Sequence, residues 1–527
     1  METTPTTLYR DGRLYSAADP QATALLVRDG TIAWIGSSAD APAADRTVDL
    51  GGALVTPAFV DAHVHSTDTG VVLLGLDLAG SRSSGEVLDR VAAHVAGLPA
   101  DAVVVGHGWD ESTWSEQTPP TAAELDRAGG GRAVYLSQVS VHSAVVSTAL
   151  LTRTPPQTPG YADSGWLRRD AHHVVRGMAM GVISNAQRDA AQRAALRHAA
   201  SLGIAAIHEC GGPGTSDEFD FTNVLALGRG AELPDVYGYW GELGGAVKAR
   251  ELGAVGAGGD LYADGALGSQ TAHLRDPYLD GTVEQSGADR CGHGYVTADQ
   301  VGAHLIECTR LGVQGGFHAI GDAAIADVLA GFAIAAKDLG TDALRAARHR
   351  IEHAEILDRA LIAGFVEYGI VASMQPAFDR LWGGAGQMYE QRLGLERSLA
   401  SNPIGALAGV GVALAFGSDS PVTPLDPWGT VKAAMNHHNP VFRIGIKTAF
   451  AAHTRGGWRA ARVENAGTLV PGADATFAVW DRPGQLVGAG WGLPNLFSTD
   501  PDEPDPALPT CLRTVAHGSE IFRMEES

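Results

Sequence analysis

Two hydrophobic patterns alternate along this 527-residue chain. Short apolar or β-like runs recur at ALVTPAFV (53–60), RAVYL (132–136), GIAAIHE (203–209) and GDLYADG (259–265). Four more follow at GVQGGFHAI (312–320), RHRIEHA (348–354), YGIVASMQP (368–376) and GVALAFGSD (411–419). Stretches with helical periodicity lie between them, such as DAAQRAALRHAASLG (189–203) and AAIADVLAGFAIAAKDLG (323–340). Alternation of this kind predicts parallel βα units. Eight runs favour a closed α/β barrel, whose chemistry sits at the C-terminal strand ends. A doubly wound open sheet is the rival, and no G-x-G-x-x-G after the first run supports it.

The termini follow a different pattern. ALLVRDGTIAWIG (24–36) is two β-rich runs joined at Asp29-Gly30, a hairpin signal. GADATFAVWD (472–481) predicts a strand, and TVAHGSEIF (514–522) a second hairpin. The stretch 481–510, rich in Pro, Asp and Gly, reads as a surface excursion. The two ends together predict one small β domain with the βα region inserted between them.

With 45% hydrophobic and 19% charged residues the composition is that of a globular chain. Sixty acidic against 38 basic residues give a net charge of −22. That balance argues against a nucleic-acid partner and against binding to anionic membranes. Four cysteines without a C-x-x-C pair point to a reducing, cytoplasmic setting. METTPTTLYRDG has neither a basic nor an apolar leader region, and no apolar run approaches the ~18 residues of a membrane span.

Ionisable residues gather at the ends of the predicted strands. His63 and His65 stand at i and i+2, so on a strand they share a face. Paired imidazoles on a rigid strand suit Zn²⁺. His318, His353 and Asp419 close three later runs. Each alone reads equally well as a packed residue; packing does not readily explain all four strand-end groups together. Aromatic residues follow the runs at Trp109, Trp114, Trp240, Phe378, Trp382 and Trp428. Loops in those positions form a barrel's pocket mouth, which suggests a small-molecule substrate with an apolar or aromatic group.

Several motifs carry a family resemblance: PAFVDAHVHS (57–66), GHGWDESTW (106–114), DLYADGALGSQTA (260–272) and FHAIGDAAI (317–325). It continues through HRIEHAEIL (349–357), SMQP (373–376), GSDSPV (417–422) and GTLVPGADATFAVWD (467–481). The chain resembles the amidohydrolase superfamily, in particular the family 3 branch that includes N-substituted formamide deformylases. The resemblance implies a distorted TIM (β/α)8 barrel over 57–464 with a small β-sandwich from 1–56 and 465–527. It implies one or two divalent ions, Zn²⁺ first among them. His63 and His65 would hold the buried ion, and His318 and His353 a second or shared position. Asp419 would bind metal and shuttle protons during attack of activated water on an amide or formamide.

One position departs from the family. The strand that usually carries a carboxylated, metal-bridging lysine has Asp260, and none of Lys248, Lys337, Lys432 and Lys447 lies on a predicted strand. Either Asp260 bridges two metals directly, or it bridges nothing and the enzyme holds one. His353 and His208 are candidates to stabilise the oxyanion, though His208 reads equally as structural. His142 falls where relatives contact substrate, and Asp264 reads as a turn cap. Cys210, beside His208, has no visible activating base. The alternative functions are a mononuclear deaminase of a heterocycle and a catalytically silent regulator on the same fold. A homodimer is the candidate assembly.

Overall fold

Eight strands form the central sheet: β1 (Phe59–Val64), β2 (Ile204–Gly211), β3 (Asp235–Trp240), β4 (Gly256–Ala257), β5 (Gln314–Ala319), β6 (Arg350–His353), β7 (Val371–Met374) and β8 (Leu414–Phe416). This is a computed structural model; it describes residues 5–99, 101–111, 114–138, 143–213, 215–279, 289–481, 486–487, 492–500 and 502–525. Each strand pairs in parallel with the next in chain order. The seam between β8 and β1 is joined at its C-terminal end. There the Asp419 amide donates to His63 O at 2.8 Å and the His65 amide to Ser420 O at 2.9 Å. The result is a nearly closed, distorted TIM barrel. Its strands are buried on both faces, which is why they read as continuous apolar runs.

The strand assignment needs three corrections. The run at 53–60 divides: Leu54–Pro57 pairs with Phe477–Trp480 outside the barrel, and the first barrel strand starts at Phe59. The run at 132–136 is not a barrel strand; Val134–Gln138 lies in a separate five-stranded sheet. Its place is taken by Asp235–Trp240, DVYGYW, in which a Gly and two Tyr interrupt the apolar run. That glycine is required, because a Cβ at Gly238 would lie 2.5 Å from the Phe221 ring. Finally, 259–265 is not extended. The chain leaves the ladder after Ala257 through Gly259 (φ +73°), and rejoins only at a Tyr262–His318 bridge.

The terminal residues form two sheets. One holds Thr7–Arg10, Ala24–Arg28, Thr31–Gly36 and Arg46–Asp49; the other Arg13–Leu14, Leu54–Pro57, Phe477–Trp480, Cys511–Ala516 and Ser519–Arg523. Tyr9, Val27, Ile32, Val55, Phe477 and Val515 form a shared core. The hairpin at Asp29-Gly30 has both residues left-handed, at φ 50° and 69°, as a two-residue hairpin loop of this sequence requires.

Ser66–Ala195 is a compact unit of its own within the span expected for the barrel. Its sheet joins Leu76–Asp77, Val104–Trp109, Val134–Gln138, Ser143–Val146 and Trp166–Arg168. Among the described residues no helix is long and apolar enough to cross a membrane. All four cysteines are free thiols.

His517 joins the C-terminal hairpin to the barrel. Its Nε2 lies 2.8 Å from Asp235 and its Nδ1 2.7 Å from Asp474. Hydrogen bonds to Asp235 and then Asp474 raise its pKa from 6.5 to about 10. A raised histidine contributes stability that is fully present below about 6.5 and is lost as pH rises through about 10. The side chain is 50% exposed, so screening limits the effect to about 1 kcal/mol. Thermal melts of His517→Gln against wild type should differ at pH 6 and converge above pH 10; a constant gap would exclude the ionic origin.

Candidate metal centre

The C-terminal strand ends bring six of the expected side chains to one point. His63 and His65 project from the end of β1. His63 Nε2 lies 3.3 Å from Asp260 Oδ1 and 3.5 Å from Asp419 Oδ1. His65 Nε2 lies 3.2 Å from both Asp260 Oδ2 and Asp419 Oδ1. On the other side, His318 Nδ1 is 3.6 Å and His353 Nε2 is 4.0 Å from Asp260 Oδ1. One Asp260 oxygen therefore faces His65, and the other faces the remaining three imidazoles.

Two of these residues reach the site through strained backbone. His353 has φ +68° and Asp419 φ +57°. In a regular strand Glu352 and His353 would face opposite ways. The left-handed turn lets both point inward, at a cost on the order of 1–3 kcal/mol per residue.

The rear nitrogens of three imidazoles are tied to acceptors. His63 Nδ1–H donates to Glu352 Oε2 (3.0 Å), His353 Nδ1–H to Gln375 Oε1 (2.8 Å), and His318 Nε2–H to Gly265 O (3.2 Å). An imidazole that donates from one nitrogen in its neutral form offers a lone pair at the other. The facing atoms His63 Nε2, His318 Nδ1, His353 Nε2 and Asp260 Oδ1 are all buried without a hydrogen-bond partner. Unpaired buried polar atoms are costly. Nitrogen and carboxylate donors converging in this way fit a divalent cation. Among the described residues, four trios have ligand atoms within 4.8 Å of one another: His63, His65 and Asp260; His63, His353 and Asp419; Asp260, His318 and His353; and, behind these, His63, Cys210 and Glu352.

Without a cation, the carboxylates attract protons instead. Burial disfavours charge on His63, but Cys210, Asp260 and Asp419 outweigh it and raise its pKa well above 6.5. Burial and then the two aspartates act the same way on His65, with the same net rise. Asp260 is pushed up by burial, yet the surrounding imidazoles hold it well below the usual carboxylate range.

The other expected residues fall elsewhere. His208 sits behind the cluster: its Nδ1 accepts from Arg350 Nη1 (2.9 Å), and burial together with that guanidinium keeps it neutral. It is Cys210, two residues on along β2, that reaches His63 and Glu352. Burial pushes the Cys210 thiol up. Asp264 does more than cap a turn. It accepts the amides of His273 (2.9 Å), Ile320 (3.0 Å) and Gly321 (2.7 Å), pinning the loop after Asp260 to the end of β5. Trp382 packs on Phe378 (4.9 Å), which stacks on His353 (5.9 Å, 14°). Trp109 is fully buried in the Ser66–Ala195 unit, with its indole N–H on Leu136 O. His142 lies outside the described residues.

Four supporting groups escaped the sequence reading. Arg350 and Glu352 form a fully buried ion pair. Their i, i+2 spacing inside an apolar strand was the available signal. Asp61, two residues before His63, accepts the amides of Ser418 (2.9 Å) and His63 (3.3 Å), and burial raises its pKa to about 6. The Tyr262 hydroxyl donates to Asp260 Oδ2 at 3.1 Å.

Comparison with known proteins gives this geometry a context. Residues 46–522 match the model of the Amidohydrolase family. The chain is 25% identical to amidohydrolase YtcJ of Bacillus subtilis, over 98% of this chain and 99% of that protein. It is 27% identical to imidazolonepropionase of Ralstonia nicotianae, over 88% of each, and 23% identical to N-substituted formamide deformylase of Arthrobacter pascens, over 79% and 80%. A solved metal-dependent hydrolase of Pyrococcus furiosus shares the fold, with TM-score 0.73 and 24% identity over 90% of this chain and 99% of that one.

Two outcomes follow from the electrostatics and from the rear contacts. Histidines with raised pKa must lose protons before they bind a cation, so apparent metal affinity should rise from pH 6 to pH 8. Calorimetry in buffers of different ionisation enthalpy should detect proton release on metal uptake, and its absence would remove these histidines as ligands. Glu352→Gln keeps the shape behind His63 but loses the charge. Metal affinity should fall about 10- to 100-fold with the melting transition still cooperative.

Proposed function

The chain belongs to the Amidohydrolase family, and on that premise we propose that it hydrolyses a non-peptide carbon–nitrogen bond in a small molecule, an amide or an N-substituted formamide. The observation that carries the reading is the convergence of four imidazoles and two carboxylates, in which the facing atoms of His63, His318, His353 and Asp260 lack hydrogen-bond partners. His63, His65 and Asp419 would hold one ion, and His318 and His353 a second, with Asp260 between them. When bound, a divalent ion such as Zn²⁺ supplies Lewis acidity and lowers the pKa of water to roughly 7.

Asp419 takes the proton of the attacking water on a carboxylate oxygen. It returns that proton to the leaving nitrogen as the carbon–nitrogen bond breaks. Its Oδ1 lies 3.5 Å from His63 Nε2 and 3.2 Å from His65 Nε2, which supports that role. His353 Nδ1–H is held by Gln375, so its Nε2 offers a lone pair to an ion and has no proton to offer an oxyanion. His208 acts on the site only through Arg350. The aromatic path from His353 through Phe378 to Trp382 suits an apolar or aromatic substituent. In this reading 57–464 carries the catalytic barrel, and 1–56 with 465–527 supports it.

A second reading is hydrolysis or deamination of a heterocycle at a single metal. The similarity to imidazolonepropionase and the aspartate in place of a bridging lysine favour it.

Chelation should abolish activity toward a panel of N-acyl and N-formyl amines, and Zn²⁺ should restore it. Full activity in metal-free protein would end the proposal. Asp419→Asn should lower kcat by roughly 10²- to 10⁴-fold with KM little changed. Asp260→Ala should reduce bound metal from two equivalents toward one, and bicarbonate should not affect reconstitution. Wild type saturating at one equivalent, with Asp260→Ala fully active, would favour the single-metal reading.

A further inference from the structure

We propose that the barrel binds a small organic anion at the end of its strands opposite the histidine cluster. A cavity of about 450 Å³ opens there, among the starts of β6, β7 and β8. That is within the range of roughly 300–1,000 Å³ typical of small-molecule sites. Arg345, Arg348, Arg455 and Arg459 line it, above a floor that includes Val371 and Leu414. His353 stands five positions after Arg348, about 16 Å of extended chain, so the two sites are distinct.

Four arginines lining one cavity are unexpected in a chain of net charge −22. Like charges repel, and the arrangement needs an anion to offset it. Within the chain only part of that is supplied. Arg348 pairs with Glu464, and Arg459 Nε lies 3.8 Å from the same carboxylate. Arg455 makes no hydrogen bond or close ion pair among the described residues and shares the same Glu464 carboxylate only at longer range. Arg345 is held by the carbonyl oxygens of Glu367 (2.7 Å) and Val366 (3.2 Å), from Nε and Nη2. Arg348 Nη1 is likewise held, by Arg459 O at 3.0 Å. Carbonyl contacts orient a guanidinium without neutralising it. Two arginines are therefore preset, and Arg455 is left over.

Guanidinium forks match carboxylates and phosphates alike. The floor decides what else the ligand carries. Val371, Leu414 and the neighbouring alanines cannot solvate a bare inorganic ion, but they can cover a hydrocarbon body. The cavity thus selects a carboxylate or phosphate with an apolar body. This inference does not depend on the reaction proposed for the metal centre.

Titration calorimetry on the full-length protein tests it, with phenyl phosphate, phenylacetate, inorganic phosphate and benzyl alcohol as probes. At least one organic anion should bind at one per chain, more tightly than inorganic phosphate or the uncharged alcohol. The stronger of the two organic probes distinguishes phosphate from carboxylate recognition. Arg455→Gln and Arg345→Gln, both at exposed positions, should each weaken binding about tenfold or more with unchanged melting temperature. His63→Ala should leave it intact, which separates this site from the metal centre. The inference is overturned if neither organic anion binds saturably, or if inorganic phosphate binds as tightly. It is also overturned if the arginine variants bind like wild type, or if His63→Ala abolishes binding.

Discussion

The histidine and aspartate cluster and the barrel that carries it both depend on a buried ion pair, Arg350 with Glu352. Neither side chain reaches solvent. Taking two charges out of water costs several kcal/mol per ion, and good geometry must offset it. Here the geometry is complete. Arg350 meets both Glu352 oxygens, donates to Ala62 O (2.6 Å), Ser373 Oγ (2.8 Å) and His208 Nδ1 (2.9 Å), and lies 4.3 Å over the Tyr239 ring. Those contacts reach β1, β7, β2 and β3 from a single side chain on β6. Glu352 is pushed up by burial, yet Arg350 and His63 hold it ionised well below the usual range. Its second oxygen is the one that receives His63 Nδ1–H. One charge pair thus ties four strands together and sets the tautomer of an imidazole at the centre.

The cluster above it is assembled by departures from regular strand geometry. β4 contributes only Gly256–Ala257 before the chain turns away. Two glycines permit the turn. Gly259 takes a left-handed φ, and Gly241 leaves room for the Asp260 backbone, which a Cβ there would meet at 2.8 Å. An aspartate is several bonds shorter than a carboxylated lysine, so it reaches the four imidazoles only if its backbone moves inward. The same inward step brings Tyr262 over His318, ring centres 4.8 Å apart, and its hydroxyl onto Asp260.

The barrel was legible from its fully buried strands, because burial on both faces writes uninterrupted apolar runs into the sequence. It failed where that rule fails. DVYGYW carries a glycine and tyrosine hydroxyls, one of them on Gln314 at 2.8 Å, and so does not read as an apolar run. RAVYL reads like a barrel strand because Val134–Gln138 is nearly as buried within its own sheet. A run of apolar residues reports burial, not which sheet provides it. The Asp29-Gly30 hairpin was legible for a local reason, since two consecutive left-handed residues leave few choices of sequence.

The site was legible as a set of strand-end residues, but not as a sorting of histidines. The chain has 19. His349 and His453 are as buried as His63, yet burial lowers them, to about 3 and about 4. Their partners are uncharged: His349 Nδ1 accepts the Gly315 amide (2.7 Å) and its Nε2 lies 2.8 Å from Thr309 Oγ1, while His453 Nδ1 sits 2.9 Å from Val60 O. Such contacts satisfy a neutral ring and leave no atom unpaired toward a cavity. His63, by contrast, has a carboxylate behind it and two in front. What separates His63 from a packed histidine is therefore the charge of its neighbours across the barrel. Those neighbours come from strands some 200 to 350 residues away, beyond the reach of any local pattern of spacing.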